Sequence, residues 1–120
     1  MKSIWITGAS SGIGKSLALK FAKEGWQVAA SARRDDLLNR LSESNENITS
    51  FPLDVTDREK CKETFKKITS TYENLDICFF STGTWEPKKE KDIDLDQMKI
   101  VMDVNFFGSL NCIKAVEKYF

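Results

Sequence analysis

The chain has 120 residues, with 18 Lys and Arg against 18 Asp and Glu, no His and 41% hydrophobic residues. This size and composition are typical of one globular unit. The balanced charge provides no basic surface for nucleic acid, and no apolar run approaches the roughly 18 residues of a membrane-spanning helix. Without His, serine–His and cysteine–His hydrolase mechanisms are excluded, and the usual metal ligand is absent. We therefore expect no nucleic-acid, membrane or metal partner.

The cysteines give an expectation about the redox state. Cys61, Cys78 and Cys112 form an odd set with no close pair in the sequence. A disulfide framework or a zinc site needs paired or closely spaced cysteines, so we expect reduced, buried thiols. The first residues lack the long apolar centre of a signal peptide. Both observations favour a cytoplasmic protein.

The first half of the chain alternates between strand and helix patterns. Residues 3–7 form a largely apolar strand that ends at a glycine cluster. A helix is predicted from Gly12, with Gly25 suited to a left-handed helix end. A strand of small residues follows over 28–32, and the leucine spacing predicts a short helix over 36–41.

The second half continues the alternation. A third strand is predicted over 48–53, and the capping-box pattern of residues 56–59 predicts the start of a third helix at Thr56. A fourth strand over 76–80 and a polar loop over 81–92 precede a long helix from about Asp94 to the C-terminus. This order predicts an α/β fold with a parallel sheet that is covered on both faces. Ligands of such sheets bind at the carboxyl ends of the strands.

Three glycines lie between the first strand and the first helix. Gly8 permits a sharp turn, Gly12 lets the backbone approach a phosphate, and Gly14 lets helix and strand pack closely. The spacing Gly-x-x-x-Gly-x-Gly differs from the general dinucleotide fingerprint, but its position between strand and helix favours phosphate binding over a plain turn. The candidate residues of this loop are Gly8, Ser10, Ser11, Gly12, Ile13 and Gly14.

The segment from Thr7 to Gly14 resembles the cofactor fingerprint of classical short-chain dehydrogenases/reductases, and the similarity runs from Ser3 to Phe120. The resemblance implies a Rossmann-type, doubly wound parallel sheet whose strand order here is 3-2-1-4. It also implies a nicotinamide dinucleotide, hydride transfer between an alcohol and a carbonyl, and a homo-oligomer.

The end of the second strand bears on the choice of dinucleotide. Dinucleotide folds that bind NAD carry a carboxylate there for the ribose 2′-hydroxyl, whereas this chain has Ala32. Arg33 and Arg34 follow, and Arg33 offers a forked cation to a phosphate. The pattern resembles the members that prefer NADP. The alternative is an exposed turn in which the arginines pair with Asp35 and Asp36.

Two later segments resemble further parts of the family's cofactor cleft. Asp54 and Val55 resemble an Asp-Val pair whose carboxylate accepts a hydrogen bond from the adenine amino group, although a turn Asp is the alternative. After the fourth strand the family typically has Asn-Asn-Ala-Gly, and this chain has Phe-Ser-Thr-Gly. We expect Ser81, Thr82 and Gly83 to line the cleft of a divergent member.

Asn105 interrupts an apolar stripe on the long helix. The other stripe residues are Met98, Val101, Met102, Cys112, Ala115, Val116 and Tyr119. A buried amide without a partner costs about 1–3 kcal/mol, so Asn105 is expected to have one. The segment from Val104 to Gly108 resembles the one that holds the Asn of the family's catalytic tetrad, which implies an irregular helix and a place in a proton relay. An Asn bonded only to neighbouring backbone is the alternative.

The family's catalytic Ser and its Tyr-x-x-x-Lys motif are not recognisable in the 120 residues: Asp76 lies four residues after Tyr72, and only Phe120 follows Tyr119. We therefore expect residues 1–120 to be a single dinucleotide-binding domain, the N-terminal portion of an NADP-dependent enzyme and inactive alone. Two alternatives stay open: a non-catalytic NADP-binding regulatory or interaction module, and a structural domain that has lost the cofactor. The substrate stays open too.

Overall fold

The strands of the computed structural model, which describes residues 1–84 and 93–120, are β1 (Ser3–Thr7), β2 (Gln27–Ser31), β3 (Ile48–Ser50) and β4 (Ile77–Phe80). The helices are α1 (Gly12–Lys23), α2 (Asp35–Ser44), α3 (Arg58–Thr71), α4 (Leu95–Met102) and α5 (Gly108–Val116). A π-helical turn, Asp103–Phe107, joins α4 to α5. Residues 85–92 of the predicted loop lie outside the described residues.

All three strand pairs are parallel, and the order β3-β2-β1-β4 confirms the predicted topology. In the centre of the sheet, Ile4 of β1 lies opposite Val28 of β2 and Ile77 of β4. This arrangement brings the carboxyl ends of all four strands to one edge. None of the helices in the described ranges is both long and apolar enough to cross a bilayer.

Alternate residues of β1 belong to two separate hydrophobic cores. Ile4 and Ile6 pack with Leu38 in the core beneath α1 and α2. Trp5 packs with Cys112 in the core beneath α3 and α5. Because successive side chains of a strand point to opposite faces, the sheet is covered on both sides, as a doubly wound fold requires.

The third strand is shorter than predicted, because it ends at Ser50 and not at residue 53. Pro52 has no N–H to donate, which interrupts the regular ladder. The backbone N–H groups of Phe51 and Leu53 still donate to carbonyls at the end of β2 and just beyond it, at 2.8 and 3.0 Å. The chain therefore stays beside β2 up to the carboxyl edge of the sheet.

The predicted N-cap of α3 is wrong by one residue. The helix begins at Arg58, and its N-cap is Asp57, whose side chain accepts from the backbone N–H of Lys60 at 3.1 Å. The Thr56 hydroxyl, predicted as the cap, instead donates to Asp54 at 2.7 Å. Because Thr56 already bonds the preceding turn, the capping role passes to the next residue.

The three cysteines are free thiols, as predicted, but only two of them are buried. Cys61 on α3 and Cys112 on α5 are buried, with their Sγ atoms 4.0 Å apart, and Cys78 is half-buried on β4. The hydrogen bond with Cys61 and burial both raise the pKa of Cys112, and burial raises the pKa of Cys78 to about 12. Cys78 and Cys112 are therefore protonated near neutral pH.

The apolar stripe predicted for the C-terminal helix is only partly buried. Cys112 and Val116 are buried against α3, whereas Met98, Met102 and Tyr119 are exposed. The π-helical turn between α4 and α5 adds a residue to the helical repeat, which shifts the residues after it around the axis. Among the described elements, α4 makes extensive contact only with the π-helical turn. Because no other element covers it, no residue of α4 is buried.

Candidate functional site

A cleft of about 380 Å³ opens at the carboxyl edge of the sheet. Its walls are the segments that follow β1, β2, β3 and β4, together with the π-helical turn. The thirteen residues predicted to contact a cofactor all line this cleft, along with Ala32, Leu53, Thr84 and Val104. The fold therefore brings together four segments that are far apart in the sequence.

The glycine loop after β1 contains two left-handed residues. Gly8 has a φ of +69° and Gly12 a φ of +54°. A Cβ atom on Gly8 would lie 2.8 Å from the carbonyl oxygen of Ser81, whereas a Cβ on Gly12 would meet no atom within 4 Å. Gly8 is therefore required by backbone conformation and by a close neighbour. Gly12 lines the cleft, and the space beside its Cα atom is open to a ligand.

Gly14 lies where α1 packs against the same loop. A Cβ atom here would collide with the carbonyl oxygen of Gly8 and would lie 2.8 Å from Oγ of Ser81. The first of these atoms is backbone and cannot rotate away. Gly14 thus permits the helix, the glycine loop and the segment after β4 to pack closely.

The N-terminus of α1 faces the cleft without a side-chain cap. Ser11 is the N-cap residue, but its side chain makes no capping hydrogen bond, and the first turn holds no acidic residue. The first N–H groups of a helix have no intrahelical acceptor, and the helix dipole is positive at this end. An anion in the cleft can accept these hydrogen bonds.

The cleft is cationic beyond β2. Arg33 and Arg34 are exposed and line it, and Ala32 contributes no charge. The ion pairs found in residues 1–84 and 93–120 involve neither arginine. The alternative in which these arginines pair with Asp35 and Asp36 is therefore not observed. Both guanidinium groups are available to an anionic ligand.

Asp54 forms a turn beyond β3. Its Oδ1 atom accepts from the backbone N–H of Thr56 at 3.0 Å and from the Thr56 hydroxyl at 2.7 Å. This is the turn role considered as the alternative for Asp54. Within the part of the chain that the structure describes, no group donates to Oδ2. The carboxylate can thus hold its turn and still accept a hydrogen bond from a ligand.

The segment beyond β4 is tied to the glycine loop through Ser81. The Ser81 hydroxyl donates to the carbonyl of Thr7 at 2.6 Å, and its backbone N–H donates to the same oxygen at 3.4 Å. The backbone bond continues the pairing of β4 with β1 past the end of β4, and the hydroxyl bond reinforces it. Ser81 therefore fixes this wall of the cleft to the central strand.

Asn105 lies on the π-helical turn and is exposed, so the predicted buried position is wrong. Its Oδ1 accepts from the backbone N–H of Thr84 at 2.6 Å, and its Nδ2 donates to the Thr84 carbonyl at 3.0 Å. The expected partner is therefore present but lies across the cleft edge, not in the neighbouring backbone. The Asn105 carbonyl also accepts from the Ser109 hydroxyl at 3.2 Å. Its catalytic role stays a prediction.

Three further residues line the cleft that were not predicted from the sequence: Leu53, Thr84 and Val104. Leu53 directly precedes Asp54, and Val104 directly precedes Asn105. Thr84 directly follows Gly83, so adjacency to a predicted site residue was the available signal for all three. The hydrogen bonds between the backbone of Thr84 and the side chain of Asn105 are seen only in the structure.

A parallel sheet in the order 3-2-1-4, with a glycine-rich turn after its first strand and a cleft at its carboxyl edge, defines a nucleotide-binding domain of the Rossmann type. The sequence model of the short chain dehydrogenase family matches residues 2–120. The chain belongs to the short-chain dehydrogenase/reductase family.

Relatives with assigned names are considerably longer. An NADPH-dependent 1-acyldihydroxyacetone phosphate reductase from Schizosaccharomyces pombe is 35% identical over 118 residues, which are 97% of this chain and 39% of that protein. Dehydrogenase/reductase SDR family member 7 from Mus musculus is 30% identical, over 94% of this chain and 36% of that protein. The chain thus spans less than half the length of these relatives.

A solved structure described as ElxO with NADP bound has the same fold. It superposes with a TM-score of 0.88 at 30% sequence identity and covers 98% of this chain. The match takes up 50% of the ElxO chain.

Proposed function

We propose that residues 1–120 are the cofactor-binding part of an NADP(H)-dependent short-chain dehydrogenase/reductase that acts on an alcohol or carbonyl substrate. The observation that carries the proposal is the cleft, because all thirteen predicted contact residues line it. NADPH supplies a hydride when it is bound. The residues described here bind and orient the dinucleotide.

The glycine loop and α1 fit a pyrophosphate group. The open space beside Gly12 leaves room for phosphate oxygens, and the uncapped N-terminus of α1 provides N–H donors and a positive dipole. Ser10, Ser11 and Ile13 complete this wall. These features support binding of the shared pyrophosphate of NAD and NADP, and they do not distinguish the two.

The preference for NADP rests on the segment after β2. A carboxylate there would repel the 2′-phosphate of NADP, but Ala32 is neutral and Arg33 and Arg34 have no carboxylate partner among the described residues. A guanidinium can form two charge-assisted hydrogen bonds to one phosphate. Both the fission-yeast relative and ElxO carry NADP or NADPH in their descriptions, which supports the same choice here.

The remaining contacts are assigned by position in the family pattern, from which the residue types of Ser81 and Thr82 depart. We assign the adenine side of the cleft to Asp54 and Val55, and the inner wall to Ser81, Thr82 and Gly83. Asn105 is proposed as the family's catalytic Asn, since its side chain bonds the backbone of Thr84 at the cleft edge. In the family, the catalytic Ser and the Tyr-x-x-x-Lys motif follow this part of the chain, so we propose that a longer protein completes the site.

Titration of the protein with NADPH and NADH tests the cofactor assignment. We expect clearly tighter binding of NADPH, measured by the change in its fluorescence or by calorimetry. Equal affinity for the two dinucleotides would contradict the NADP assignment, and binding of neither would contradict the function itself.

Turnover separates an enzyme from a non-catalytic NADP-binding module. The full-length protein that contains these residues is expected to oxidise NADPH in the presence of a carbonyl substrate, followed by absorbance at 340 nm. A suitable panel includes simple ketones, aldehydes and 1-acyldihydroxyacetone phosphate. NADPH binding without oxidation across the panel, in a protein that lacks a Tyr-x-x-x-Lys motif, would favour the module.

A further inference from the structure

The carbonyl of Val55, on the cleft wall, is held by a side chain that no part of the proposed function uses. Asn111 on α5 donates from Nδ2 to the Val55 carbonyl at 2.9 Å, although the residues are 56 positions apart in the sequence. The bond is partly buried. Asn111 itself does not line the cleft. It therefore acts on the cleft only through Val55.

Other contacts hold Val55 against the same two helices. A Cβ atom on Gly108 of α5 would lie 2.5 Å from Cγ2 of Val55, so the helix and this side chain are already in close contact. From α3, the Cys61 thiol donates to the Val55 carbonyl at 3.6 Å. Val55 has 4% of its surface exposed. Its backbone consequently has little freedom to rotate.

One peptide group connects Asn111 to the carboxylate of Asp54. The carbonyl of Val55 and the N–H of Thr56 belong to the same planar unit. The carbonyl accepts from Asn111, and the N–H donates to Oδ1 of Asp54 at 3.0 Å. A donor on the carbonyl side fixes the plane of the peptide and polarises its N–H. The orientation of the Asp54 carboxylate thus depends on a side chain of α5.

We propose that Asn111 is a positioning residue for the adenine side of the cleft. Through the Val55–Thr56 peptide it holds the Asp54 carboxylate toward the adenine amino group. This inference rests on the proposed function, since it takes the ligand to be NADP(H) and assigns Asp54 to adenine. Asn111 would thereby increase the preference of the cleft for adenine over other bases, although it lies on α5 outside the cleft.

The test compares NADPH with its hypoxanthine analogue, which lacks the adenine amino group, as ligands of the protein. The wild type is expected to bind NADPH more tightly than the analogue. Asn111→Leu keeps the size of the side chain but removes the donor, and we expect it to reduce that preference by about three- to tenfold, the effect of one neutral hydrogen bond. Asn111→Gln keeps an amide donor and is expected to retain more of the preference.

Asn39→Leu is the matched control, because Asn39 is exposed on α2 and does not line the cleft. It is expected to leave the preference for NADPH unchanged. Should Asn111→Leu fold poorly, Asn111→Ala, which removes the donor without adding bulk or charge, provides the same comparison.

The possible results distinguish the positioning role of Asn111 from the proposed binding of NADP(H). A donor-free variant that keeps the full preference for NADPH would overturn the positioning role, as would equal weakening of both ligands together with a lower melting temperature. A wild type that binds both ligands equally would overturn the adenine contact. A wild type that binds neither would overturn the proposed function and this inference with it.

Discussion

At the scale of single residues, the charge of Arg33 determines the expected choice between the two dinucleotides. Arg33→Ala is expected to weaken NADPH binding by roughly 1.5–3 kcal/mol, the range of a hydrogen bond to a charged group, while NADH binding changes little. Calorimetric titration of both dinucleotides measures the effect. The matched control is Arg40→Ala, since Arg40 is exposed on α2 and does not line the cleft. Parallel weakening of NADPH and NADH would contradict a contact with the 2′-phosphate.

Gly12 and Gly25 allow backbone strain to be separated from loss of the ligand space. Both have positive φ, +54° and +89°, and at both a Cβ would meet nothing within 4 Å. Gly12→Val and Gly25→Val should therefore each cost about 1–2 kcal/mol of stability, because a side chain is strained in this conformation. Only Gly12→Val should abolish dinucleotide binding, since its branched side chain would enter the cleft.

Thermal unfolding and NADPH titration of the two valine variants provide the comparison. A folded Gly12→Val protein with normal affinity for NADPH would show that the pyrophosphate lies elsewhere. Loss of binding in Gly25→Val would show that strain at either end of α1 is sufficient.

At the scale of elements, the packing of α1 against β1 and the segment after β4 depends on Gly14. Gly14→Val is expected to lower the free energy of unfolding by about 1–3 kcal/mol, the range of overpacked sites, because any Cβ collides with the Gly8 carbonyl. Denaturation by urea, with wild type and Gly25→Val measured in parallel, quantifies the loss. Unchanged stability would mean that α1 can shift away from the sheet at little cost.

The π-helical turn, Asp103–Phe107, has a comparable effect on the C-terminal helix. It separates α4, which has no buried residue, from α5, which packs against α3. It also places Asn105 beside Thr84 and leaves Asn111 directed at Val55. One irregular turn thus lets a helix contact the cleft edge with one segment and the cleft wall with the next.

At the scale of the whole molecule, a large apolar surface is exposed along the C-terminal helix. Its residues with large exposed side chains are Leu95, Met98, Ile100, Met102, Phe106, Phe107, Leu110 and Ile113. On the edge strand β4, Ile77 and Phe79 are also exposed. Exposed apolar side chains in such numbers are typical of surfaces that associate, and an open strand edge favours pairing.

Residues 1–120 produced alone are therefore expected to self-associate in sedimentation velocity experiments. Leu110→Glu should shift the distribution toward the monomer, because burying a carboxylate in the contact is costly. Ser70→Glu adds the same charge to the exposed surface of α3 and serves as the control. A stable wild-type monomer would contradict the expectation, as would equal effects of the two substitutions.

The family resemblance supplied the strand order, whereas the residues themselves determined the alternation of strands and helices, the glycine loop and the edge of the sheet at which the cleft lies. Each depends on local patterns: an apolar strand before Gly8, helical spacing after Gly12, and polar or charged residues such as Asp54 directly after a strand. In a parallel α/β sheet such positions meet at one edge whatever the details of packing. This is why residues far apart in the sequence, such as Gly8 and Ser81, could be assigned to one site before their close approach was seen.

Only the tertiary structure decided the contacts that join elements through single hydrogen bonds. The cap at Asp57, the exposed position of Asn105 and the bond from Asn111 to Val55 depend on the angles and offsets at which helices pack. Hydrophobic periodicity specifies which face of a helix is buried, but it leaves the rotation and sliding of that helix to side-chain packing. Hydrogen bonds are sensitive to shifts of a few tenths of an ångström, so their partners are determined only once the whole fold has formed.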